Sequence, residues 1–134
     1  GEVAGACQTS DGCVAFHHLL KPQEEARLME RLAERIAQNG WHIDYGILGS
    51  KYVLNMLGEY GRTDVIYKML TREDYPGYLY WVYHGCTTLA ECWNLGGSHN
   101  HYMFSDVSAV FYRYFAGIRP DGDIPAYRSF LSAG

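Results

Sequence analysis

The sequence predicts an all-α chain of antiparallel helical hairpins, about five helices long, and three observations predict it. Apolar residues recur every third or fourth position through most of the chain. Several of these runs end on Gly or Asn-Gly, the residue types that close a helix in a left-handed cap. Connections are short: only Gly61 and Arg62 separate the run ending at Tyr60 from the one beginning at Thr63, which makes neighbouring helices antiparallel.

The elements follow in order. Residues 6–18 are rich in small and apolar types, with Ala6, Val14, Ala15 and Phe16 interrupted by Ser10, Asp11 and Gly12, and are expected to form a helix. Pro22 stands at a first helical position, Glu24 and Glu25 sit in the positive N-terminal turn, and Asn39-Gly40 closes the far end. Between them Leu28, Leu32 and Ile36 repeat every fourth residue, while Arg27, Glu30, Arg31, Glu34 and Arg35 cover the other side. Ile47, Leu48, Tyr52, Val53, Met56, Leu57 and Tyr60 give the next helix, ended by Gly61. Thr63 is expected as N-cap of a short helix carrying Val65, Ile66, Met69 and Leu70. Tyr75-Pro76-Gly77 breaks the chain, and the aromatic run Tyr78 to Tyr83 reads as a short extended segment or a loop. Thr88-Leu89-Ala90-Glu91 has the form of a capping box and so predicts a helical turn. Val107, Val110, Phe111, Tyr114 and Phe115 mark a last helix stopping at Gly117, followed by an irregular tail around Pro120, Gly122 and Pro125.

Composition narrows the class. At 134 residues, 48% apolar and 19% charged, the chain is sized for one globular domain with one core. A net charge of -4 with scattered Lys and Arg gives no nucleic-acid footprint, and no apolar run reaches the roughly 18 residues of a membrane span. The N-terminus lacks the sections of a signal peptide and begins at Gly1, as expected of a trimmed chain or a piece of a longer one. Twelve tyrosines, three tryptophans and five phenylalanines suit a core, and equally a sugar-binding cleft.

Chemistry concentrates in residues 85–104. Glu91 and Trp93 are followed, through Gly96-Gly97, by His99, Asn100 and His101. A carboxylate accepts hydrogen bonds, an imidazole and an amide do both, and an indole face covers apolar C–H surface, a set suited to a hydroxyl-rich ligand. Glycines permit the positive φ that would fold the histidine segment back over Glu91. Cys7, Cys13, Cys86 and Cys92 have neither redox nor zinc-knuckle spacing and are expected as small, buried, reduced thiols, although Cys86, Cys92, His99 and His101 can be drawn as a zinc set. Asp44, beside Trp41 and His42, reads as a turn residue or a sugar contact, while His17 and His18 read as structural.

Further motifs then fall into order: Gln8-Thr9, Gly46-Ile47-Leu48-Gly49, Gly61-Arg62-Thr63-Asp64 with Tyr67 and Leu70-Thr71, and Asp74-Tyr75-Pro76-Gly77-Tyr78. Gly85-Cys86-Thr87-Thr88-Leu89-Ala90-Glu91, Ser98-His99-Asn100-His101-Tyr102-Met103-Phe104, and Tyr112-Arg113-Tyr114-Phe115-Ala116-Gly117-Ile118 complete the series. In this order the chain resembles the later part of the catalytic domain of bacterial family 78 α-L-rhamnosidases, inverting glycoside hydrolases built on an (α/α)6 barrel. The resemblance implies a C-terminal portion of that barrel, with Glu91 as the general base and His101 as a contact to rhamnose, and Trp93 and Asn100 beside them. It implies no cofactor and no metal, a rhamnose-containing oligosaccharide or glycoside as ligand, and a periplasmic or extracellular setting. Ala90 stands where the family usually has Trp, and Cys92 where Arg or His is common. The family's general acid lies in an earlier segment that nothing here matches, so the resemblance implies half of a catalytic pair. Apolar helix faces should then be left for the remainder of the domain, or a second copy, to cover.

Overall fold

The structure, a computed structural model, describes residues 5, 7–121 and 129–132. Six helices dominate it: α1 (Gln8–Phe16), α2 (Pro22–Gln38), α3 (Ile47–Glu59), α4 (Thr63–Leu70), α5 (Tyr78–Tyr83) and α6 (Asp106–Val110), which runs on into a π-helical turn, Phe111–Phe115. Among the described residues no helix is long and apolar enough to cross a membrane.

Helix α1 starts on Cys7, whose thiol accepts from the Ser10 amide at 3.4 Å while the Ser10 hydroxyl accepts from the Cys7 amide at 3.2 Å. Ala6 lies outside the described residues. Pro22 opens α2, which buries Leu28, Leu32 and Ile36 as their spacing requires. Each such side chain contributes roughly 1.5–3 kcal/mol of transfer free energy. An ion pair between Asp11 and Arg35 ties α1 to α2. Buried Glu25 is matched likewise: it accepts from the Tyr60 hydroxyl at 2.8 Å and meets the His18 ring at 3.2 Å. Burial and that carboxylate push the Tyr60 phenol up to about 12.

Helix α3 is the spine of the fold. A side chain on Gly12 would strike Val53, and one on Gly49 would strike Thr9 and Tyr45, so these two glycines let α1 and α3 approach closely. At its C-terminus Gly61 takes φ +69°, and the Arg62 amide donates to the Leu57 carbonyl at 2.8 Å, closing the helix and starting α4. Arg62, rather than the expected Thr63, is the N-cap of α4, because Thr63 already has helical geometry. Val65, Ile66, Met69 and Leu70 are buried.

Three further expectations need correction. Residues Tyr78–Tyr83 form a helix and not an extended segment: Tyr78 and Trp81, three apart, share the buried face, whereas a strand would have paired Tyr78 with Tyr80. Thr88 to Glu91 is no helical turn, since its polar groups bond across the chain instead, as described below. The last helix forms where it was expected, with Val107 and Val110 buried, while Phe111 and Phe115 remain half exposed with their rings tilted together at 5.5 Å. The tail contains an antiparallel pair, β1 (Ile118–Pro120) with β2 (Phe130–Ser132), where irregular chain was expected. Gly122 and Pro125 lie outside the described residues.

Candidate active site

Trp93 anchors the site. Its indole N–H donates to the Tyr45 carbonyl at 2.7 Å, and the Trp81 indole N–H donates to the Trp93 carbonyl at 3.1 Å. The two indoles stack at 4.5 Å, with Tyr78 and Phe104 packed against Trp93 at 5.1 and 4.5 Å. A loop with no regular secondary structure is thereby pinned to α5 and to the segment leading into α3 through an aromatic cluster, and both indole donors are satisfied. Burial keeps the Tyr45 and Tyr78 phenols well above their ordinary value, so this support stays neutral.

Upon that support the chain doubles back. The Glu91 amide donates to the Ser98 carbonyl at 2.8 Å, the His101 amide donates to the Leu89 carbonyl at 2.9 Å, and the Thr88 hydroxyl donates to the His99 carbonyl. Leu95 at φ +64° and Gly97 at φ +75° make the reversal between them. This is the return over Glu91 that Gly96-Gly97 predicts, reached without a capping box: the Glu91 side chain bonds forward to Ser98 and not back to Thr88. Its Oε2 accepts from the Ser98 amide at 2.9 Å. No hydrogen bond among the described residues engages Oε1, and Glu91 is half-buried at the edge of an open hollow.

That hollow, about 550 Å³, is lined by Glu91, Cys92, Trp93 and Asn94 of the loop, Thr9 of α1, residues 46–49 at the start of α3, Tyr75 and Phe104. The structure therefore brings Glu91 and Trp93 together at one surface. It does not bring the histidine there: His101 is not among the lining residues, and its Nδ1 accepts from the Met103 amide at 3.4 Å, capping a 3₁₀ turn, Tyr102–Phe104. Asn100 is exposed and also outside the hollow. His101 and Glu91 were expected to face one hollow; among the described residues His101 does not line it, and its ring nitrogen caps the 3₁₀ turn instead.

Asp44 belongs elsewhere. It accepts from the Gln8 amide at 3.1 Å, its own amide donates to the Gln8 side chain at 3.2 Å, and it lines a separate hollow with Gln8, Arg35 and Asn39. Burial raises its carboxyl above the ordinary value, opposed by the Gln8 N–H and Arg35. Glu91 is the one carboxylate among the described residues that line its own hollow. The four cysteines are free thiols, but none is buried as expected: Cys92 is exposed on the loop and Cys7, Cys13 and Cys86 are half-buried. No cluster of three or more His, Cys, Asp or Glu able to hold a metal ion occurs among the described residues.

Thr9, Tyr75 and residues 46–49 reach the hollow from positions remote in sequence. The one local signal for them is the pair of glycines around Ile47-Leu48: Gly46 begins α3 in extended geometry and Gly49 admits Thr9.

Known proteins resemble this arrangement over nearly the whole chain. An alpha-L-rhamnosidase from Alteromonas sp. (strain LOR) is 31% identical over 124 residues, 84% of this chain and 13% of that protein. One from Formosa agariphila is 30% identical over 126 residues, 86% of this chain and 14% of that protein. The crystal structure of the Streptomyces avermitilis alpha-L-rhamnosidase complexed with L-rhamnose is 28% identical, and it superposes on 97% of this chain with a TM-score of 0.88, using 14% of its own length. The chain thus spans about one seventh of the relatives it matches, and its helices are part of a six-hairpin glycosidase fold. The bacterial alpha-L-rhamnosidase 6 hairpin glycosidase domain matches residues 1–115, and the chain belongs to that family.

Proposed function

We propose that this chain is the C-terminal portion of the catalytic domain of an inverting glycoside hydrolase acting on terminal α-L-rhamnosides, and that Glu91 is its general base. The observation that carries the reading is the half-held carboxylate: Oε2 is fixed by the Ser98 N–H, no hydrogen bond among the described residues engages Oε1, and Glu91 lines a hollow that also presents an indole. A base must hold its geometry and keep one oxygen for water, and this arrangement does both. Water's oxygen bonds to the anomeric carbon as Oε1 takes its proton; the glycosidic C–O bond breaks, and the departing oxygen receives a proton from a carboxylic acid on the opposite face of the sugar. The relatives' names supply rhamnose as the sugar.

The acid comes from outside the described residues, because inversion needs a second carboxyl roughly 6.5–9.5 Å away across the scissile bond and the hollow offers Glu91 alone. The rest of the domain supplies it and covers the apolar side chains exposed here, among them Leu48 at 63% and Phe111 at 50%. In the full-length protein Glu91→Gln should keep the fold and the sugar affinity while lowering turnover of an aryl α-L-rhamnoside by at least ~10²-fold. Unchanged turnover would remove the assignment. The lone carboxylate also favours a second reading, a helical module that binds carbohydrate without cleaving it; full-length protein that binds rhamnosides but never hydrolyses them would establish that one instead.

A further inference from the structure

The geometry points to Gly97 as a positioning residue for the Glu91 carboxylate, an inference that rests on the reading of Glu91 as the base. Glu91 and Ser98 grip each other twice, amide to carbonyl at 2.8 Å and carboxylate to amide at 2.9 Å, and Gly97 lies inside that grip. A methyl group on Gly97 would sit 2.6 Å from Oε2 and 3.0 Å from Cδ of Glu91. Ordinary contact begins near 3.4 Å, so something must give by about 0.8 Å. The two severe contacts are with the far end of a side chain and the third, Cβ of Glu91 at 3.3 Å, is short by only about 0.1 Å, so the carboxylate makes the larger movement and the backbone nearly stays. It then leaves the Ser98 N–H and the place from which Oε1 meets water.

Other glycines show that this demand is separate from backbone conformation. Gly61 and Gly85 also have positive φ, +69° and +85°, but a methyl group on either would meet nothing within 4 Å. Those positions ask only for a left-handed residue. Gly97, at φ +75°, asks in addition that there be no side chain, because the carboxylate occupies that space. Its contribution to the reaction is therefore exerted wholly through Glu91.

The test compares Gly97→Ala, Gly61→Ala, Glu91→Gln and the Gly97→Ala/Glu91→Gln double variant in the full-length protein, reading kcat, KM and Tm with an aryl α-L-rhamnoside. Gly97→Ala should lower kcat about 10²-fold with KM nearly constant, the usual consequence of displacing a reacting group by about 1 Å. Gly61→Ala should lose similar thermal stability, since both place Ala at positive φ, yet keep kcat within about 2-fold. In the Glu91→Gln background Gly97→Ala should lower kcat no further, as expected of residues that act as a unit. If Gly97→Ala fails to fold, Gly97→Asn puts a Cβ in the same place on a residue that tolerates left-handed geometry, and the same pattern is required of it. A Gly97 variant that keeps kcat, or that lowers it equally in both backgrounds, overturns the inference while leaving Glu91 as the base. Wild-type kcat in Glu91→Gln itself overturns the reading of Glu91 and this inference together.

Discussion

Helix α2 and the loop of residues 86–101 are held by opposite means. In α2 the backbone satisfies itself and the side chains Leu28, Leu32 and Ile36 need only be apolar and correctly spaced. In the loop, isolated backbone pairs such as Glu91 with Ser98 and His101 with Leu89 leave other backbone groups to particular side chains: the Thr88 hydroxyl on the His99 carbonyl, Asn94 accepting from the Gly96 amide at 3.0 Å, Glu91 accepting from the Ser98 amide, and the His99 ring on the Leu95 carbonyl at 2.9 Å. Irregular backbone must find such partners. The consequence is functional, since two of the polar residues that shape the loop, Glu91 and Asn94, also line the hollow. Glu91 differs from its neighbours in bonding through one oxygen and keeping the other.

The largest effect should come from the helical side. Leu32 is fully buried, so Leu32→Ala should cost about 2–5 kcal/mol of stability by thermal or denaturant unfolding. Rate and sugar affinity per folded molecule should be unchanged, and an altered KM would break the division between the two regions. A smaller loss, about 1–3 kcal/mol, is expected from Trp93→Phe, which leaves the Tyr45 carbonyl without its indole donor. Because Trp93 also lines the hollow, that variant should weaken sugar binding in the same preparation. Loss of stability with full affinity would reduce Trp93 to a pin and sharpen the division.

What the sequence discloses follows the same line. The period of α2, the apolar face of α3 and the Gly61 closure are local properties, and each is legible in the residues themselves. So is the reversal at Gly96-Gly97, which requires only a residue that tolerates positive φ. The helix Tyr78–Tyr83 was hidden by aromatic residues of high strand propensity; what makes it helical is Trp81 and Tyr78 packing on Trp93, a contact no window of sequence contains. Thr88 and Glu91 have the spacing of a capping box, but the partners that win, His99 and Ser98, come after the turn. The bond from the Met103 amide to the His101 ring, which caps the 3₁₀ turn right after it, is another such local competitor that the motif does not announce. The share of the hollow supplied by Thr9 and Tyr75 depends on the α1–α3 contact and on the break before α5, both tertiary features.

The central claim is that the sugar is handled at the hollow beside Glu91, and locating bound rhamnose tests it most directly. Crystals of the full-length protein soaked with L-rhamnose should show the sugar over Trp93, with its anomeric carbon within one water's reach of Glu91 Oε1 and with Oε2 still on the Ser98 amide. Rhamnose bound at another surface of the domain, with the Glu91 hollow holding solvent only, would contradict the account.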